Sequence, residues 1–531
     1  MRSFAFTRRE FLVTTAASST LVVAPGLVGR AAERKLWSSD PFSLGVASGS
    51  PAPDGFVLWT RLAPEPESYD PDSPAGMSGG PRRIAYEIAG DPALKTIVKR
   101  GTAVADPHYA YSVHAEIEGL LPGRPYWYRF MSGDAVSPVG RAMTRPALDS
   151  APDGLRFGFV SCANYEHGYF SAYRHLADEE PDVVLFLGDY IYEYVDTRST
   201  NLVRRHSEGL EAENLATYRN RHAQYRLDPD LKRLHASAPA LTIWDDHEVQ
   251  NDYANQASET FDEPAKFLLR RADAYQAFYE HMPLRAFSRP NGAAMRIYDR
   301  LRYGNLLEIS LLDGRQYRSR EACYREPDWG GAHPETNQSC PERLDPSRSM
   351  IGAAQEAWLF DGLAESRADW NLIAQDVLMA QLRGVNEQGE ATFSTDDWDG
   401  YPESRSRLLR HVYDARVRNA VVIGGDIHSF WTNDLKLDFD DPASPAVATE
   451  FVGTSVSTHG VPYEVFARAL PDNPHVKFFE SRRRGYVAVE LTRQTMTAKF
   501  RAVSDAQDPA ANVFTLKTFV VESGKPGAVE G

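Results

Sequence analysis

The rhythm of hydrophobic and polar positions changes near residue 150. From Phe42 to Arg145 short runs alternate apolar with polar residues, as in Phe56–Leu62, Arg82–Gly90, Ser112–Gly119 and Arg124–Gly133, with turn signals between them. No helix-length amphipathic pattern interrupts these runs, and their spacing predicts a small immunoglobulin/fibronectin-like β-sandwich over 42–145. The Leu120-Leu121-Pro122-Gly123 turn before Tyr126 fits that reading. The Pro-, Ser- and Gly-bearing stretch 145–154 reads as a linker.

Beyond it, continuous apolar runs are separated by long intervals, the pattern of an α/β domain over 155–510. The runs are RFGFVS, DVVLFLGD, ALTIWDD, NLLEISLLD, WNLIAQD and NAVVIGGD. Each runs into polar or ionisable residues: Cys162, Asp189, Asp245 with Asp246, Asp313, Gln375 with Asp376, and Asp426 with His428. Ligands of open sheets gather at one end of the strands, so these residues predict one shared site. The arginines between the strands (Arg204, Arg205, Arg219, Arg221, Arg226) read as a solvated helix face. The tail beyond Ala502, which ends in the C-terminal segment 511–531, includes NVFTLKTFVVESG, ambiguous between helix and strand, and covering the site to limit substrate size is one of its two readings.

Length and composition add limits. The 531 residues, 42% hydrophobic, suffice for two or three domains with substantial cores. A formal charge of −15 argues against nucleic acid or an anionic membrane held by bulk electrostatics. Arg8-Arg9 with Phe11 and Leu12, followed by an uncharged run, resembles a twin-arginine export signal over residues 1–31. No later stretch is apolar enough to predict a membrane span. Of three cysteines, Cys323 and Cys340 lie in a polar segment that one disulfide could close, which leaves Cys162 at a strand end.

Carboxylates suit hard cations, whereas thiolate and imidazole suit transition metals. A tyrosine becomes a ligand only where a strong Lewis acid such as Fe(III) displaces its proton, so Cys162 with Tyr192 favours iron over zinc or magnesium. Asp189 has two oxygens and could bridge two metals. Adjacent Asp245 and Asp246 point oppositely on an extended segment, so at most one faces a given metal. Asp426 and His428, two apart, emerge on one face of an extended segment. His247 beside Asp246 could stabilise a pentavalent phosphate.

Ser161-Cys162, GDYIYEY, WDDHE, NLIAQD and GGDIH, in this order and spacing, resemble the alkaline phosphatase D (PhoD-like) family within the calcineurin-like metallophosphoesterases. The resemblance extends to FSLGVASGSPAPDGFVLWTRL and to the export signal, so it covers essentially the whole chain. It implies an αββα domain, Fe(III) and Ca(II) cofactors, and hydrolysis of phosphomonoesters or phosphodiesters by attack of a metal-bound hydroxide. Carried over by motif, Cys162 and Tyr192 bind iron, Asp189 bridges, and Asp246, Asp426 and His428 complete the metal set. His247, with Asp246, acts in catalysis. Asn164, Asp245 and Gln375 are expected as hydrogen-bonding neighbours rather than ligands. The implied partners are small phosphate esters and the twin-arginine machinery, with a periplasmic or secreted location and no membrane insertion after signal removal. A phospholipase D-type diesterase and a non-catalytic exported metal- or phosphate-binding protein are the alternatives.

Overall fold

All six buried runs form strands: Gly154–Val160, Val183–Leu187, Pro239–Ile243, Leu307–Leu311, Trp370–Ala374 and Ala420–Gly424. They divide between two mixed sheets. In the first, Leu185 pairs in parallel with Phe159 on one side and Leu241 on the other. In the second, Leu372 pairs in parallel with Ile309 and Val421. Parallel strands are covered on both faces, which is why these segments are continuously apolar rather than alternating. The computed structural model describes residues 36–68, 70, 73–324 and 333–531, so the export-signal reading lies outside the described residues.

The two faces of the first sheet can be told apart by close contacts. Phe159 and Leu185 share one face, and a Cβ on Gly453 would come within 3.2 Å of Phe159, so this face packs on the second sheet. On the other face a Cβ on Gly158 would lie 2.4 Å from Leu176 of helix Ser171–Asp178. Phe186 stacks there on His235 of helix Pro229–Ser237, ring centroids 4.9 Å apart. That helix starts where Asp228 accepts from the Asp230 and Leu231 amides ahead of a proline at its first position. The outer face of the second sheet contributes Ile373, Val422 and Trp431 to a core with Leu359 and Leu408 of helices Ala353–Glu365 and Pro402–Asp414.

The N-terminal β layers are present, with a core of Phe56, Leu58, Ile84, Ile88, Tyr128 and Phe130. Three of their strands are shared with the larger domain's sheet. Strands Val46–Ala52, Gly55–Arg61 and Ser112–Ile117 continue the first sheet, because Ser48 pairs in parallel with Pro239. Pairing there removes two open strand edges. Residues 145–154 are therefore a crossing of the chain, and Trp37–Gly531 form one compact unit.

Within the tail, strand Val513–Glu522 pairs along Thr495–Val503 and extends the ten-stranded sheet, which makes it strand rather than helix. Cys323 and Cys340 are disulfide-bonded, and Cys162 is free and buried. Among the described residues no helix is long and apolar enough to cross a membrane.

Candidate metal centre

The six strands end at the meeting edge of the two sheets, and the chain turns sharply there. Four of the expected ligands hold left-handed backbone: Cys162 (φ 58°), Asp189 (φ 51°), Asp426 (φ 63°) and His428 (φ 54°). Non-glycine residues rarely adopt this region, and such strain clusters at functional sites. Two glycines permit the approach. Gly188 has φ 98°, and a Cβ on it would stand 2.4 Å from the Asp245 Cβ; a Cβ on Gly425 would stand 2.4 Å from the Ser161 Oγ. The extended geometry expected for Asp426 and His428 is thus replaced by a run of bends after strand Ala420–Gly424, and both side chains still reach the centre.

Three donor groups converge, each with its ligand atoms within 4.8 Å of one another: Cys162, Asp189 and His428; Asp189, Asp246 and His247; and Asp189, Asp245 and Asp426. Asp189 belongs to all three. Tyr192 completes the first, its hydroxyl donating to Asp189 Oδ2 at 2.8 Å and lying 3.2 Å from His428 Nε2. Asp245, expected as a hydrogen-bonding neighbour, lies just past the end of strand Pro239–Ile243 and brings a carboxylate oxygen within 4.8 Å of donor atoms of Asp189 and Asp426. Asn164 and Gln375 are hydrogen-bonding neighbours: Asn164 Nδ2 donates to the Tyr194 hydroxyl, and Gln375 Oε1 accepts from the Trp398 indole. Asp313 is taken up by Trp244, Arg315 and Gln316.

The donor set fits cations. Asp189 Oδ1 and Asp245 Oδ2 are buried oxygens without a hydrogen-bond partner, an expensive state for a carboxylate unless a positive charge accompanies it. Burial pushes the Asp189 carboxyl and the Cys162 thiol well up; Asp246 adds to the first and Asp189 to the second. Burial also raises Asp426 to about 7, with Asp396 reinforcing it. His428 is held down to about 3 by burial and by Arg484, which suits a neutral imidazole ligand. A mixture of thiol, imidazole and phenol at one end and carboxylates at the other matches a transition metal beside harder cations.

His247 sits differently. Burial opposes its protonation, but Asp246, Glu193 and Asp189 outweigh that and raise its pKa well above the ordinary value. Its Nδ1 is 2.7 Å from Glu193 Oε2, and the other carboxylate oxygen accepts from the Asn251 amide at 2.7 Å. The ring is thereby fixed, with Nε2 as its remaining donor.

Several residues that hold this site were not among the expected site residues. Thr458 Oγ1 donates to the Cys162 carbonyl, accepts from the Asn164 amide and lies 2.9 Å from the Tyr192 hydroxyl. Glu248 accepts the amides of Asp189, Tyr190 and Asp245, tying two ligand loops together. Arg315, wholly buried, donates to Asp245 and bidentately to Asp396. The arginines read as a solvated face include two that are buried: Arg221 donates to the Tyr192, Tyr194 and Leu210 carbonyls, and Arg226 lies over Trp59. Only the pairing of a helix with the ligand loop, a long-range fact, explains them.

Comparison with known proteins gives the family. Residues 157–500 match the PhoD-like phosphatase family model, and residues 29–146 match the model of that family's N-terminal domain. Alkaline phosphatase D of Bacillus subtilis strain 168 is 42% identical over 497 residues, covering 92% of this chain and 82% of that protein. A solved structure of PhoD aligns with a TM-score of 0.87 at 42% identity, covering 93% of this chain and 92% of that one. The converging donors and these matches have one reading: the chain belongs to the PhoD-like phosphatase family and is a phosphoesterase.

Proposed function

We propose that the chain is an exported, calcineurin-like αββα metallophosphoesterase that hydrolyses phosphomonoesters, phosphodiesters or both, using Fe(III) and Ca(II). The observation that carries the proposal is Asp189, common to three donor groups at the meeting edge of two sheets. Cys162, Tyr192, Asp189 and His428 would hold iron. Asp189, Asp245, Asp246 and Asp426 would hold calcium, and oxygen-rich surroundings favour that ion. When bound, such cations supply Lewis acidity toward phosphoryl oxygens and acidify water near neutral pH. Helices against the outer faces of two facing sheets support the αββα assignment. The export reading rests on the Arg8-Arg9 motif.

The chain's own residues do the remaining work. His247, protonated and oriented by Glu193, donates from Nε2 to charge that grows on the phosphoryl group or leaving oxygen as the ester bond breaks. Glu248 and Thr458 keep the ligand loops in place, so donor positions need no rearrangement during turnover. The test is hydrolysis of p-nitrophenyl phosphate and bis-p-nitrophenyl phosphate with calcium and with chelator, alongside metal analysis and a visible spectrum. Activity lost to chelator, iron in the protein and a charge-transfer band abolished in Tyr192→Phe are expected. A colourless zinc-only protein refutes the iron assignment, and absence of turnover under every metal condition refutes catalysis.

A further inference from the structure

Beside the metal centre lies a cavity of about 320 Å³ whose wall includes three consecutive arginines, Arg482, Arg483 and Arg484, facing His459 and His167. This concentration of positive charge stands out in a chain of formal charge −15. Two residues of its wall tie it to the centre's surroundings. Arg484 Nη1 donates to the His428 carbonyl at 2.6 Å and to Ser455 Oγ at 3.3 Å. His459 directly follows Thr458, whose hydroxyl contacts Tyr192. The wall is therefore linked to the residues around the centre through Arg484 and through the Thr458–His459 pair.

The arginines differ in what engages them. Arg484 is largely buried and bonds carbonyl and hydroxyl oxygens of His428, Thr454, Ser455 and Ser481. Arg482 is exposed and holds Glu480 through two hydrogen bonds. Arg483 is exposed, with a weak 3.4 Å contact to the Ser504 carbonyl and its guanidinium 5.9 Å from the Phe514 ring. Asp505 also lines the groove, and its carboxylate caps the Gln507 amide. His167 is taken by Asp196 through Nε2 and by the His459 amide through Nδ1, and the two imidazoles stack at 4.1 Å. The exposed, least engaged donor of the set is thus Arg483, with Arg482 next to it.

We infer that this groove is a subsite for a second phosphate group of the substrate, one carried on the leaving alcohol, with Arg483 as its principal contact. The inference rests on the proposed function. A guanidinium fork matches two phosphate oxygens at once, and a charged acceptor strengthens each bond. A substrate spanning centre and groove would be a bis-phosphorylated ester or a diester whose alcohol bears a further phosphate. Because the contact is solvent-exposed, its benefit falls as salt rises.

The test compares propyl phosphate with propane-1,3-diol bisphosphate and butane-1,4-diol bisphosphate, using the metal-loaded full chain. The better-fitting bisphosphate is expected to exceed propyl phosphate in kcat/KM by about tenfold, the order of one charge-assisted hydrogen bond, mainly through KM. In Arg483→Ala that ratio falls to about one, and in Arg482→Ala/Arg483→Ala it stays there. In 0.5 M salt the wild-type ratio also shrinks. A wild-type ratio of one, or a ratio that Arg483→Ala leaves intact, overturns the subsite. Equilibrium binding of the same compounds decides the matter separately from turnover. If no ester is hydrolysed the proposed function fails, whereas equal binding of mono- and bisphosphate, or a binding preference kept in Arg483→Ala, overturns the subsite alone.

Discussion

Removing the imidazole of His247 and the charge of Glu193, singly and together, tests whether the two work as one unit. Glu193 Oε2 lies 2.7 Å from His247 Nδ1 and both side chains are buried, so the carboxylate fixes ring orientation and favours the protonated form. A donor aimed at transition-state charge contributes ~10²–10³ in turnover, so His247→Ala should lose that much. Glu193→Gln keeps an acceptor for the Asn251 amide but replaces a charged partner of His247 with a neutral one. Charge-assisted hydrogen bonds are roughly twice as strong as neutral ones, a difference of about 1.4 kcal/mol, so this variant should lose about tenfold. In the double variant the carboxylate has no ring to orient, and its loss should equal that of His247→Ala alone. The assay is kcat for p-nitrophenyl phosphate at saturating metal, with metal content measured on every sample. A further tenfold loss in the double variant, with metal intact, refutes the coupling. Full turnover by His247→Ala refutes its catalytic role.

Two other substitutions test the surroundings. Gly188→Ala places a methyl 2.4 Å from the Asp245 Cβ at φ 98°, so it should displace the Asp189 and Asp245 loops and reduce bound metal at least tenfold; elemental analysis showing wild-type metal content sinks this. Both ring nitrogens of His114 are buried with no hydrogen-bond partner, and their burial holds the imidazole down to about 3, with Arg289 adding to the effect. Its folded value lies below the unfolded one, so stability is fully present above about pH 6.5 and falls as pH drops toward 3, by about 1.4 kcal/mol at pH 5.5. His114→Phe should therefore gain stability relative to wild type between pH 7.5 and 5.5, read by urea unfolding at both values; a pH-independent difference contradicts it.

Much of the fold was legible because parallel strands covered on both faces must be continuously apolar, and VVLFL or AVVIG admits little else when bounded by Gly and Asp. The donors were legible because strand ends are where polar residues of an α/β sheet meet. What stayed hidden is non-local. Nothing near Ser48 announces that it pairs with Pro239, so the sandwich was read as a separate body. Asp245 was assigned to the background by strand alternation, which holds only while the strand lasts, and the strand stops at Ile243. Glu193, Thr458 and Arg315 act through partners 54, 296 and 70 residues away, distances that no local pattern spans.

The left-handed backbone at four candidate ligands says where the site's cost lies. At about 1–2 kcal/mol for each non-glycine residue, four such positions sum to roughly 4–8 kcal/mol, comparable with the net stability of a domain. That strain persists because the surroundings over-determine it. Strand ladders fix one side of each bend, Glu248 holds the Asp189 and Asp245 amides, and Gly425 donates to the Asp376 carbonyl. The bends therefore belong to the backbone and its clamps, and replacing a ligand side chain removes a donor without releasing the turn. Breaking a clamp does the reverse: Glu248→Ala leaves every donor in the chain but unpins two loops at once. On this account Glu248→Ala should lower total bound metal, read by elemental analysis, whereas Cys162→Ser should lower only what the proposed thiol-side site holds; wild-type metal content in Glu248→Ala refutes the clamp.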